Sequence, residues 1–269
     1  MKILTKDFAF MNSGFHTGSW NMEYDVQRTM SVAKQEAKPL LRVFGWEPWC
    51  ISLGRNQSIN DINLELAYAD GYDVVNRPTG GRAIFHAQEL TYSIVMPSGG
   101  RGIMEVYRII SEALVAGLQY IAPGISIAKS QPDFQKLYTE PGSIPCFSSS
   151  ARYEIEYNGK KLVGSAQRRF SQTAENENDI VLQHGSILIG PAHLNLTAYL
   201  QVDEAAASAM HRDLLTHTIT LQELCRQKIT WNELAECVRR GFEESWNIEF
   251  DDEELSAQPQ TLRTMELIS

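Results

Sequence analysis

Two adjacent glycines, Gly80 and Gly81, lie between the apolar run Tyr72-Asp73-Val74-Val75 and a second run, Ala83-Ile84-Phe85. Glycine adopts backbone angles that other residues resist, and it has no Cβ to hold a ligand away. The segment Arg77-Pro78-Thr79-Gly80-Gly81-Arg82-Ala83-Ile84-Phe85-His86 therefore reads as a pair of strands joined by a loop of bare backbone. Arginines and a histidine beside it supply hydrogen-bond donors.

Patterning along the rest of the chain sets the fold class. Residues Met22 to Ala37 predict a helix, and Leu40 to Trp46 and Trp49 to Gly54 predict strands. Ile62 to Asp70 predicts a short helix. Leu90 to Met96, rich in β-branched and aromatic residues, predicts a strand. Ile103, Val106, Ile110, Leu114 and Leu118 recur at helical spacing within a helix expected over Gly102 to Ile121. Tyr153 to Tyr157 and Lys161 to Ala166 predict strands joined at Asn158-Gly159, a strong hairpin signal. Gln172 to Asp179 reads as a polar loop, and Val181 to Ile189 as a further strand. The remainder reads as helical, with capping boxes at Thr220 to Glu223 and Thr230 to Glu233. Strands and helices mix without strict alternation. That predicts an α+β fold of mixed, mostly antiparallel sheets packed with helices. It forms one domain over 1–269, of which roughly 215–269 is a small helical extension.

Bulk properties narrow the function. The chain has 269 residues, 43% apolar and 21% charged, as an ordinary globular protein does. Its net charge of −9 argues against a nucleic-acid partner, because phosphate contacts need a basic surface. It contains no apolar run of about 18 residues, which argues against a membrane partner. The N-terminus lacks the apolar core of a secretory signal. Four cysteines in so long a chain do not make a disulfide framework, so reduced thiols and a cytoplasmic location are expected. The charges are unevenly placed. Seven acids and no base fall between Glu243 and Glu254; five bases and two acids fall between Arg152 and Arg169. Each run reads either as a solvated face or as a docking surface, the basic one for an acidic partner.

Two residues carry candidate chemistry. Cys146 lies in Pro145-Cys146-Phe147-Ser148-Ser149-Ser150, where a proline and three serines disfavour a buried, regular setting. It is either a packed thiol or a nucleophile. A free thiol is only a few per cent ionised at neutral pH, so the second role needs a nearby cation. Lys161 is the candidate cation. Neighbours on a strand face opposite sides, so Lys160 can point outwards while Lys161 points inwards, although a lysine beside a turn can also sit in solvent. Gly164 and Ala166 keep one face of that strand small, as a ligand chain lying against it would need. Cys50, Cys225 and Cys237 read as packing. The six histidines show no close metal-ligand pair and there is no CxxC, so no metal site is expected. Neither a P-loop nor a dinucleotide fingerprint is present. A Cys–His protease would need His184 or His86 as partner, and nothing local supports one.

The Arg77–His86 segment, with Glu89-Leu90-Thr91-Tyr92-Ser93, resembles a signature of the lipoate/biotin protein ligase and octanoyltransferase superfamily. Gly159-Lys160-Lys161-Leu162-Val163-Gly164-Ser165-Ala166-Gln167 resembles its second, lysine-bearing signature, and Leu182-Gln183-His184-Gly185-Ser186-Ile187 a third. The resemblance covers about residues 15–245. Pro145-Cys146-Phe147 followed by Tyr153-Glu154 is similar to the Gram-positive-type octanoyltransferases. That resemblance implies transfer of an octanoyl group from octanoyl-acyl carrier protein to a lysine of a lipoyl-domain acceptor, such as the glycine cleavage H protein. It also implies a thioester on Cys146, a thiol pKa lowered by Lys161, and no cofactor. Substrate-binding positions are implied at Arg77, Gly80, Gly81, His86, Gly164, Ser165 and Ala166, with His86 either orienting the glycine loop or purely structural. Alternatives are an amidotransferase between lipoyl domains and a non-catalytic lipoyl-domain binder. A third is an ATP-dependent lipoate ligase, in which Arg77 and the glycine loop would hold an acyl-adenylate phosphate. The chain departs from the family in placing Val26 after Asp25, and in a long polar stretch from Ser171 to Asp179.

Overall fold

The computed structural model describes residues 6–128, 153–171, 179–225 and 228–255; Cys146 lies outside them. The chain order is β1 (Asp7–His16), α1 (Gly18–Ala33), β2 (Leu40–Trp46), β3 (Cys50–Leu53), α2 (Leu64–Ala69), β4 (Asp73–Asn76), β5 (Ile84–His86), β6 (Glu89–Pro97) and α3 (Ile103–Leu118). It continues with β7 (Ser126–Ile127), β8 (Ile155–Tyr157), β9 (Lys160–Phe170), β10 (Ile180–Leu188), a 3-10 segment (Pro191–Tyr199), α4 (Glu204–His217), α5 (Leu221–Leu224), α6 (Trp231–Trp246) and β11 (Glu249–Asp252). Among the described residues, one sheet has the order β11-β1-β2-β6-β10-β9-β8-β7 and a smaller one the order β4-β3-β5. Only β11–β1, β1–β2 and β3–β4 pair in parallel, so the expected α+β fold with mostly antiparallel sheets is what forms.

Strand alternation gives the large sheet two unlike faces. Phe8, Phe10, Leu41, Val43, Leu90, Tyr92, Ile94 and Met96 point to one side. There they form the main core with Val106, Ile110 and Leu114 of α3 and Leu234, Val238 and Phe242 of α6. Burying each such side chain contributes about 1.5–3 kcal/mol. The residues between them, including Ser13, Arg42, Thr91, Ser93, His184 and Ser186, are buried yet polar. They face α1 and the small sheet, and their side is the one that carries the site.

Several expectations need correction. The strands either side of Gly80-Gly81 are not a pair, because β3 lies between β4 and β5. Helix α1 begins at Gly18 and ends at Ala33; Thr17 caps it by accepting from Trp20 N. Strand β1 was not expected. Its Asn12-Ser13-Gly14 stretch resembles a turn and is in fact a register shift against β2, with Gly14 at φ 72°. The C-terminal stretch is not helical throughout, since β11 adds to the edge of the large sheet. The acidic run there is not simply solvated: Glu253 meets Arg28 at 2.7 Å, Asp251 meets Lys38 at 2.6 Å, and Asp252 meets Arg239 at 2.7 Å. The hairpin forms as expected, with Asn158 at φ 50° and Gly159 at φ 78°, and so do both capping boxes.

Candidate active site

The glycine loop is held from beneath. Arg77 is buried and donates Nε–H and Nη2–H to Gly80 O (3.1 and 2.8 Å) and Nη2–H to Arg82 O (2.7 Å). Its Nη1 donates to Ser52 O and Ser52 Oγ (3.1 and 3.2 Å). Ser52 Oγ thus accepts a hydrogen bond from Arg77 and turns its own hydroxyl proton towards His86 Nε2, 2.7 Å away. His86 Nδ1 then donates to Glu89 Oε1 at 2.7 Å, where Thr91 and Ser186 hydroxyls also donate (2.6 and 2.8 Å). Trp46 stacks on the imidazole at 4.1 Å and fixes its plane. His86 therefore acts on the loop through Ser52 and Arg77 rather than by direct contact. The order hydroxyl, imidazole, carboxylate is that of a nucleophilic relay. Here the hydroxyl leads on to an arginine that grips main-chain carbonyls, so the chain of bonds ends in loop geometry.

A second network, not anticipated from the sequence, holds the other side of the loop. Arg42 and Asp25 are 0% and 1% exposed at the side chain and meet at 3.0 Å. Arg42 also donates to Ser13 Oγ (2.8 Å) and to Asn21 Oδ1, and Ser93 donates to Asp25 Oδ1 (2.9 Å). Burial pulls the Arg42 guanidinium below its ordinary range, against the raising effect of Asp25. His184 Nδ1 faces Asp25 Oδ2 at 3.5 Å, and its Nε2 meets Thr79 Oγ1 of the glycine loop at 2.6 Å. Asn21, Asp25 and Thr29 are spaced one helical turn apart on the buried side of α1. That polar stripe is the signal from which this network was readable.

Burial also lowers the pKa of His184, with Asp25 acting in the opposite sense. In the unfolded chain its imidazole binds a proton near pH 6.5 and in the native protein only at lower pH. Unfolding therefore takes up a proton in that window, so stability is present above pH 6.5 and is lost as the pH falls through the native value. His184→Asn should flatten that part of a denaturation-midpoint profile between pH 7 and pH 5. An unchanged slope would show that His184 does not set it.

Gly164, Ser165 and Ala166 of β9 and His184, Gly185 and Ser186 of β10 border a small cavity of about 20 Å³. Arg77, His86 and Ser52 close its other side. Close backbone packing maintains it. A Cβ at Gly54 would stand 2.0 Å from Gly81 O, and one at Gly185 would meet Ser165 Oγ at 2.5 Å and Gly164 O at 2.7 Å. Gly54→Ala should therefore push the glycine loop outwards and cost about 1–3 kcal/mol, read as a lower melting temperature. An unaltered melt would mean that the loop yields freely.

Strand β9 carries an extra residue next to Lys161. Val163 pairs with Ile155, but Lys161 pairs with Glu156, so the register shifts across Leu162. Such a bulge breaks the strict alternation of side chains between the two faces. Lys161 is buried there and is not among the residues that line the cavity. Lys161 Nζ donates to Glu154 Oε1 at 2.6 Å, both side chains being 5% exposed. Lys160 is half-buried.

Arg77, His86, Gly164, Ser165 and Ala166 thus line one cavity. Ser165 does so with its main chain, because its Oγ turns away to Tyr92 OH at 2.7 Å. Gly80 and Gly81 do not line it; they form the loop that Arg77 holds. Cys50 is fully buried, and its thiol is pushed up by burial and by the Asp73 and Glu89 carboxylates. Burial raises Cys225 and Cys237 as well. Gly54, Ser52, Glu89, Asp25 and Arg42 are the residues that sequence reasoning missed. Among the described residues the basic run does not form one patch. Lys161 is buried, Arg169 turns to Arg101 O and Asp179, and Arg168 turns to Pro78 O. Arg152 lies outside the described residues. Among the described residues no His/Cys/Asp/Glu group is placed to hold a metal, and no helix is long and apolar enough to cross a membrane.

This fold and cavity define a class: the pattern of the lipoyl protein ligase A/B catalytic domain matches residues 17–243, and the chain belongs to that family. Within it, the chain is an acyltransferase. It is 32% identical over 257 residues to octanoyltransferase LipM of Kyrpidia tusciae, covering 93% of this chain and 91% of the relative. It is 31% identical over 259 residues to octanoyltransferase LipM of Bacillus subtilis, covering 93% and 90%. Among solved structures, a bipartite lipoate protein ligase of Thermoplasma acidophilum superposes with a TM-score of 0.71 at 19% identity, over 93% of this chain and 88% of that one. A lipoate-protein ligase A bound with ATP gives 0.69 at 19% identity, over 93% and 90%. These structures share the fold.

Proposed function

We propose that the chain transfers an octanoyl group from octanoyl-acyl carrier protein to a lipoyl-domain lysine in lipoate biosynthesis, through a thioester on Cys146. The observation that carries this reading is the buried Lys161 amine on β9, the strand whose small residues Gly164, Ser165 and Ala166 border the cavity. A cation within about 4–6 Å of a thiol favours thiolate. The Cys146 thiolate attacks the thioester carbonyl, and main-chain amides near Lys161 and Gly164 stabilise the oxyanion. The carrier thiolate leaves and takes up a proton, and acyl-Cys146 remains. The ε-amine of the acceptor lysine then attacks the acyl carbon. The amide forms, the amine proton is lost, and the Cys146 thiolate is restored. Two easier steps replace one difficult one.

Two features support this over an ATP-dependent ligase. The relatives named above are octanoyltransferases. The Arg77 guanidinium donors go to Ser52, Gly80 and Arg82, so it grips the loop rather than offering itself to a phosphate. The test is the intact mass of the protein after incubation with octanoyl-carrier protein in the absence of ATP. A single octanoyl adduct, discharged when a lipoyl domain is added, is the expected result. Transfer that occurs only with ATP, or no adduct together with no modified acceptor, would overturn the proposal.

A further inference from the structure

Arg55 and Arg168 flank the outer edge of the glycine loop. The Arg55 main-chain N–H donates to Thr79 O at 2.9 Å, and Arg168 Nη1 donates to Pro78 O at 3.2 Å. Arg55 through its main chain and Arg168 through its guanidinium thus bond adjacent residues of one loop, close enough that the two charges repel. Arg168 is stacked over Phe170, with its guanidinium carbon 4.4 Å from the ring centroid, which fixes its direction. Among the described residues, no carboxylate lies within ion-pair distance of either arginine. Other arginines of this acidic chain, such as Arg28, Arg42, Arg169 and Arg239, do meet acids. Burial and the charge of Arg55 both make it harder for Arg168 to hold its proton. Like charges kept together without a counter-ion cost stability unless an anion comes to them.

We infer that Arg55 and Arg168 form a clamp for a single phosphate on an extended donor arm whose other end reaches Lys161. Placement on β9 argues for an arm rather than a compact anion. Arg168 shares the strand face of Gly164 and Ala166, the two small residues that border the cavity. From residue 161 to residue 168 an extended strand spans about 23 Å. The charged end and the acyl end of the ligand are therefore held apart by a smooth wall of small residues. Arginine suits the outer position because its planar fork bonds two phosphate oxygens at once. The inference rests on the proposed use of a carrier-borne thioester, since such carriers present the acyl group on a phosphate-bearing arm.

Binding tests it independently of turnover. The probes are pantetheine 4′-phosphate, pantetheine and AMP, titrated calorimetrically into the full chain. Wild type should bind pantetheine 4′-phosphate at least about tenfold more tightly than pantetheine, since a hydrogen bond to a charged group contributes about 1.5–3 kcal/mol. Arg55→Ala and Arg168→Gln should each remove most of that difference, and the remainder should shrink with added salt. Arg55 makes no side-chain hydrogen bond or ion pair in the described structure, so its variant is expected to fold normally; Arg168→Lys should retain part of the preference. Equal binding of the two pantetheine probes to wild type, or a preference that survives both substitutions, would overturn the clamp. AMP binding as tightly as the phosphorylated arm, with the same dependence on Arg55, would overturn the assignment to an arm. Absence of acyl transfer, by contrast, would count against the proposed function and leave this binding preference as it is.

Discussion

Cys146→Ala should eliminate the octanoyl adduct and lower transfer by about 10³-fold or more, as removal of a covalent nucleophile does elsewhere. The physical case rests on what a thiol needs. The described cysteines, Cys50, Cys225 and Cys237, are each pushed away from thiolate by burial. Single alanine substitutions there should leave the adduct intact. Cys146→Ser adds a sharper test. A serine hydroxyl ionises far less readily than a thiol, so acylation should become very slow, and any adduct should be an oxygen ester that survives neutral hydroxylamine. The wild-type thioester should be cleaved by the same treatment. Because Cys146 flanks a proline in a serine-rich stretch, the alanine variant is expected to keep the wild-type melting temperature. Full activity of Cys146→Ala together with absolute ATP dependence would move the protein to the ligase chemistry.

Local rules made several of these elements legible. Asn158-Gly159 predicts its hairpin because two left-handed residues match the twist of paired strands. Thr220 and Thr230 predict helix starts because each is followed at the right spacing by a glutamate. Leu40 to Trp46 reads as a strand and is one, although every residue is buried. Non-local arrangements were not legible. Nothing in Tyr72 to Phe85 announces that β3 inserts between the strands flanking the glycine loop. Strand β1 was hidden because its bulge carries turn residues, and β11 because an edge strand tolerates acids that a central strand would exclude. The same division runs through the site. The small residues of β9 announced a ligand wall, and Lys161 was expected to point inwards. It is buried against Glu154, beside a register shift that depends on the pairing strand and not on Lys160 and Lys161 alone. Asp25 stood out only by its departure from the family pattern; its buried pairing with Arg42 exists only once α1 lies across β2.

Breaking the Lys161–Glu154 pair from one side should cost about 3–5 kcal/mol, whereas removing both partners should nearly restore stability. The two side chains are equally buried and 2.6 Å apart. Glu154→Met leaves the ammonium in a poorly solvated site without that carboxylate, and Lys161→Met leaves the carboxylate without that cation. Either single variant should show a reduced urea midpoint. The double variant places two apolar side chains of similar length in the same space and should unfold close to the wild-type midpoint. Activity should not follow stability. The double variant should transfer more slowly than wild type, because a thiol with no cation beside it is only a few per cent ionised at neutral pH. The pH dependence of alkylation by iodoacetamide reads this directly: its midpoint should move upwards in the double variant relative to wild type. Glu154 also limits how far the cation acts. A close ion pair has the field of a dipole, which falls off faster than that of a lone charge, so Lys161 can activate only a thiol brought right beside it. A double variant that folds, transfers octanoyl groups and keeps the wild-type alkylation profile would remove Lys161 from the mechanism.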